Sequence, residues 1–138
     1  VRALIAQLDA YLQALYPPDS NHLVPVDALR RADVVFLVAR LGAEVVACGA
    51  LLDQGGEYGE LKRMYVRPDC RGAGVGRAIL AALLAQARLR GLRVLRLETG
   101  IAQPEALALY ERAGFRRRAH FGPYREDPLS LFMELELG

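Results

Sequence analysis

The chain has 138 residues and a mass of 15.2 kDa, the size of one compact domain with a buried core, and it reads as a single domain over residues 1–138. Hydrophobic residues make up 53% and charged residues 25%, which excludes a disordered tail or a low-complexity scaffold. The net charge of +2 is too small to call for nucleic acid, and no apolar run approaches the roughly 18 residues of a membrane span.

The opening segment carries Arg2 and Asp9 in an amphipathic pattern, so it does not read as a secretion signal. The two cysteines, Cys48 and Cys70, form neither a disulfide framework nor a CxxC pair, and a reducing cytoplasm is the expected setting. His22 and His120 are far apart, with no other ligand type at metal-binding spacing, so no metal is expected.

Leu4, Ile5, Leu8, Leu12 and Leu15 recur at helical spacing and predict a first amphipathic helix, which Pro17 and Pro18 stop. A polar loop over 17–22 leads to a short helix over 26–31. Residues 33–40 (DVVFLVAR) and 44–52 (EVVACGALL) are rich in β-branched residues and predict a hairpin across Leu41-Gly42-Ala43. After the turn at Gln54-Gly55-Gly56, residues 58–67 predict a third strand. Simple alternation puts Glu60, Lys62, Met64 and Val66 on one of its faces and Leu61, Arg63 and Tyr65 on the other.

Pro68 ends that strand. The turn Arg71-Gly72-Ala73-Gly74-Val75-Gly76 then opens a helix with an apolar stripe of Val75, Ile79, Leu80, Leu83, Leu84 and Ala87, stopped by Gly91. Residues 93–98 form the next strand, and the strand–turn–helix–strand unit implies a parallel crossover. A helix over 103–113, with Pro104 in its first turn and Gly114 at its end, is followed by short strands near 115–118 and 130–137. The fold class is α+β, a mixed sheet with a parallel centre.

A glycine-rich turn at a helix start lets backbone N–H groups converge where the helix adds roughly half a unit of positive charge. An anion such as a phosphate fits there, with Arg71 and Arg77 flanking it. A Walker A loop would need Lys and a hydroxyl residue after Gly76, where Arg77 and Ala78 stand. A dinucleotide fold would place Glu98 at a ribose. It would also need a small residue at Arg77 and several crossover units.

The turn follows the R/Q-x-x-G-x-G/A signature, and the chain here resembles the GNAT superfamily of acetyl-CoA-dependent N-acetyltransferases. Val66-Arg67-Pro68 is similar to the family's V-x-P before the loop. Residues 106–115 (ALALYERAGF) are similar to its A-x-x-L-Y-x-x-x-G-F segment. The two motifs cover about half the chain, from Glu60 to Phe115. The family often has Asn where this chain has Gln103, and residues 120–125 (HFGPYR) carry no motif shared across the superfamily.

The resemblance implies a sheet splayed at its centre, with acetyl-CoA as co-substrate. Arg71, Gly72, Ala73, Gly74, Val75, Gly76 and Arg77 would hold its pyrophosphate. The backbones of Met64, Tyr65 and Val66 would pair with its pantetheine arm, and Gln103 would contact the cofactor. One amide of that strand would polarise the thioester carbonyl. Tyr110 stands where the family places its general acid, and Glu60 where some members carry a base, with Glu98 a second candidate. A covalent route through Cys70 is the weaker alternative, since no His is near it in sequence.

The expected reaction is direct attack by a primary amine on acetyl-CoA in a ternary complex. The loops 16–23 and 119–128 mix aromatic and polar residues, which suits a small-molecule amine. A protein N-acetyltransferase and a non-catalytic acyl-CoA-binding or sensing module are the alternatives. The resemblance also allows a homodimer, with no interface legible in the sequence.

Overall fold

The computed structural model describes residues 34–100 and 104–137. The helices expected over 4–15 and 26–31, the loop between them and Gln103 lie outside the described residues. The elements are β1 (Val34–Leu41), β2 (Glu44–Gln54), β3 (Tyr58–Val66), a 3₁₀ turn (Pro68–Cys70), α1 (Val75–Leu89), β4 (Val94–Gly100), α2 (Pro104–Ala113), β5 (Arg116–Arg118) and β6 (Ser130–Glu136). They form one six-stranded sheet in the order β1-β2-β3-β4-β6-β5. All its pairs are antiparallel except β3 with β4, the crossover predicted through α1.

Both helices feed one core. Ile79, Leu80 and Leu83 of α1 and Tyr110 of α2 cluster with Leu51, Leu61, Leu95, Leu97 and Met133 of the strands. Each helix ends in the same way. The N–H of Leu92 bonds to Ala87 O and that of Gly91 to Arg88 O; likewise Phe115 bonds to Tyr110 O and Gly114 to Glu111 O. These paired bonds satisfy last-turn carbonyls that would otherwise be orphaned.

The central strands depart from regular pairing in two places, and both position the site. First, β3 and β4 pair only over Gly59↔Leu95, Glu60↔Arg96 and Leu61↔Leu97. The β3–β4 ladder ends at Leu61, and the two strands part beyond it.

Second, the register of β3 against β2 slips between Cys48 and Ala50, so that Arg63 and Met64 both stand opposite Gly49. This is a β-bulge, with Arg63 in the left-handed region at φ 58°. Cys48 is fully buried and donates its thiol to the Arg63 carbonyl at 3.1 Å, which supports the bulge from the next strand.

The bulge corrects the simple alternation expected for this strand. Leu61, Met64 and Val66 pack into the core beneath α1, while Tyr65 clusters with Cys48, Phe36 and Val38 on the opposite face. One extra residue reverses the phase of everything after it, so Met64 and Val66 do not share a face with Glu60 and Lys62. Gly49 allows the helix to sit close to this kink. A Cβ there would lie 2.5 Å from Met64 Sδ and 2.9 Å from both Ile79 and Leu83.

Candidate active site

On the helix-bearing face a cleft of about 660 Å³ opens between the C-terminal end of β3, the start of α1 and the exposed flank of α2. Met64, Tyr65, Val66, Arg71, Gly72, Gly74, Val75, Gly76 and Arg77, the strand and turn residues that the resemblance singles out, line it. Ala73 lies in the same turn without lining the cleft. Leu80 and Leu84 continue the wall along α1, one and two helical turns beyond Gly76, and Leu109 faces them from α2. That four-residue spacing was the signal for the apolar wall, since the same stripe also serves the core.

Local backbone chemistry makes the turn an anion seat. Gly72 and Gly74 have φ values of 84° and 82°, and a Cβ added at either would meet nothing within 4 Å, so the demand for glycine is conformational. Gly74 is the N-cap of α1. No side chain caps the helix start, and its first turn has no acidic residue. The N–H groups of that turn therefore keep their donor capacity for an anion.

Arg71 is held at the edge of this seat. Its Nε donates to Val66 O at 3.0 Å, its guanidinium lies 5.7 Å from the Tyr65 ring, and Nη1 is 3.8 Å from Glu105 Oε1 of α2. Glu105 lines the cleft and was not singled out from the sequence, where it reads only as a helix-start acid. Nearby, Arg67 pairs with Asp69 at 2.6 Å and with Glu44 at 3.0 Å, pinning the 3₁₀ turn to β2. The Arg67 hydrogen bonds hold the Asp69 carboxyl down to about 2. Cys70 lines the cleft and shows no His beside it among the described contacts.

Tyr110 lines the cleft, 5% exposed and edge-on to Phe115 at 5.7 Å. Burial, and then the negative charge of Glu98, push its phenol well above the ordinary range, so it holds its proton at neutral pH.

Glu60 is not in the cleft. It lies on the opposite face of the sheet and is 2% exposed. Tyr124 Oη donates to its Oε2 at 2.5 Å, Gln54 Nε2 donates to Oε1 at 3.3 Å, and Lys62 Nζ stands 3.6 Å from Oε2. Lys62 also lies over the Tyr124 ring at 4.9 Å. Burial lowers the Lys62 ammonium below its usual range, and the charges of Glu60 and Glu98 oppose that shift. Glu98, which accepts from Ser130 Oγ at 2.9 Å, sits on β4 just past the last β3–β4 pair.

The charge of Glu98 is felt by Tyr110 on one side and Lys62 on the other. The parting of the strands thus brings the cleft and the acidic cluster to a common border. Among the described residues no group of His, Cys, Asp and Glu is arranged to hold a metal, and no helix is long and apolar enough to cross a membrane.

Comparison with known proteins agrees with this architecture. The acetyltransferase (GNAT) family profile matches residues 3–115. The IAA acetyltransferase of Azospirillum brasilense is 51% identical over 135 residues, spanning 97% of this chain and 88% of that protein. The crystal structure of a candidate acyl-CoA N-acyltransferase from Klebsiella pneumoniae has a TM-score of 0.83 at 44% identity, covering 99% of this chain and 88% of the other. YncA of Salmonella typhimurium, solved with its cofactor acetyl-CoA, has a TM-score of 0.64 at 25% identity, covering 81% of this chain and 69% of the other. A splayed mixed sheet, a glycine turn at an uncapped helix and a family match across most of the chain lead to one conclusion: the chain belongs to the GNAT family and is an N-acetyltransferase of that type.

Proposed function

We propose that the enzyme transfers an acetyl group from acetyl-CoA to a primary amine of a small molecule, by direct attack in a ternary complex. The observation that carries this reading is the cleft itself. It joins an uncapped helix start, an apolar wall and a buried phenol. Those are the chemistries suited to a diphosphate, a pantetheine arm and a reacting thioester. The acetyl-CoA complex of YncA supports the choice of donor.

When bound, acetyl-CoA supplies the acyl carbonyl and a thiolate leaving group. The main-chain N–H groups at 71–77 hold the diphosphate, and Arg71 and Arg77 add charge-assisted contacts. The edge of β3 at Met64, Tyr65 and Val66, beyond the last β3–β4 pair, offers backbone groups to the pantetheine amides. One of these amides donates to the acyl oxygen and stabilises the charge that develops there. Tyr110 gives its proton to the departing sulfur. Its upward shift keeps it protonated, which a proton donor requires. Glu60 takes the proton of the attacking amine, directly or through water. Its Oε1 accepts from Gln54 Nε2, and a carboxylate oxygen has a second lone pair to offer.

A thiol-release assay with acetyl-CoA across a panel of amines tests the reading. Amine-dependent release from small molecules is expected. Release only with peptide amines would make the enzyme a protein acetyltransferase. Tight binding of acetyl-CoA with no release from any amine would make it a sensing module.

A further inference from the structure

The group held most firmly on the face opposite the cleft is the Glu60 carboxylate, and it is held by residues that no motif predicts. Tyr124 comes from the 119–129 connection, 64 residues away, and is itself 7% exposed. That connection is tied down on its own account. Tyr124 packs on Phe121 and Phe132 at ring distances of 5.2 and 5.6 Å, and its N–H bonds to Phe121 O. The phenol oxygen therefore has a fixed origin from which to aim at Glu60. Lys62 touches both partners, 3.6 Å from the carboxylate and 4.9 Å from the centre of the Tyr124 ring.

Resting on the reading of Glu60 as the base, we propose that Tyr124 and Lys62 are positioning residues that fix the Glu60 carboxylate in the orientation from which it takes the amine proton, thereby setting the rate of the chemical step. Both meet one carboxylate oxygen, Oε2, while Gln54 reaches Oε1 at 3.3 Å, so the rotation of the group about its last bond is fixed. On β4, Arg96 is engaged with Glu134 at 2.9 Å and stacked over Tyr58 at 4.5 Å, and Glu98 accepts from Ser130 Oγ. Tyr124 and Lys62 are thus the groups whose removal acts most directly on the orientation of Glu60.

The test is steady-state kcat and KM for wild type, Y124F, K62M, K62R and E60Q, with acetyl-CoA affinity and Tm measured alongside. E60Q is expected to lower kcat by about 10²-fold or more. Y124F and K62M are each expected to lower kcat about tenfold while the KM and affinity for acetyl-CoA stay in place, and K62R to restore it. A residue that only anchors the loop would change Tm and leave kcat in place. If E60Q lowers kcat while Y124F and K62M leave it at the wild-type value, the positioning role is wrong and the base assignment stands. If E60Q leaves kcat unmoved, both fall. Should Y124F fail to fold, K62M reads the same carboxylate from the other contact.

Discussion

On the face of the sheet that α1 and α2 cover, the cleft joins residues of 64–84 to residues of 105–113, and its anion seat is the backbone of a glycine turn. On the opposite face, the acidic cluster joins Glu60 to Tyr124 and Glu98 to Ser130 through side chains alone. The first kind of site depends on φ values and on where a helix begins. The second depends on a loop being held at the right distance from a strand. The two should therefore respond to different perturbations, and variants can be chosen to strain one face while sparing the other.

The largest effect is expected at the border. Tyr110→Phe should lower kcat by about 10²–10⁴-fold, the range of a lost general acid, with acetyl-CoA affinity and Tm nearly unchanged. Stopped-flow and steady-state rates would check it, and an unchanged kcat would remove Tyr110 from the chemistry. Gly74→Val comes next. Forcing a β-branched residue to φ near 82° costs about 1–2 kcal/mol and crowds the anion seat. Calorimetry should show acetyl-CoA affinity falling by about tenfold or more.

Gly49→Ala should destabilise by about 1–3 kcal/mol, because its methyl group must displace Met64, Ile79 and Leu83 together. Chemical denaturation would measure that loss. It would also show whether the bulge transmits strain to the cleft through Met64.

A smaller effect belongs to high pH. Tyr110 and Tyr124 both hold their protons more tightly in the fold than the ordinary phenol value of 10.0, chiefly through burial. Their contribution to stability is complete below about pH 10 and is lost as pH rises past it, because the unfolded chain then ionises first. Tm between pH 8 and 11.5 should fall more steeply for wild type than for a variant with Phe at both positions. Smallest of all, Arg67→Ala removes ion pairs at the surface and should leave Tm within error of wild type.

The helix-bearing face was largely legible because its rules are local. Proline, glycine and apolar spacing marked β3, the turn, α1 and α2 to within a few residues, and the same spacing carried the family resemblance. The bulge was not legible. Arg63 is neither glycine nor asparagine, and alternation around it looks unbroken in the sequence, yet its positive φ turns Met64 and Val66 toward α1. The partners of Glu60 were equally hidden. Tyr124 was noted as part of an aromatic and polar loop, but nothing in a linear string states that a turn at 121–124 delivers its hydroxyl to β3.

The surplus residue in β3 lets a single strand serve two compartments. Up to Lys62 it presents its ionisable side chains to one chamber, and from Met64 onward it directs alternate side chains into the other. Deleting Arg63 would straighten the ribbon and rotate its second half by half a turn. The ring of Tyr65 would then swing into the hydrocarbon interior, and Met64 and Val66 would be ejected from it. The cleft and the Glu60 cluster would be lost together, although none of their other atoms had been removed.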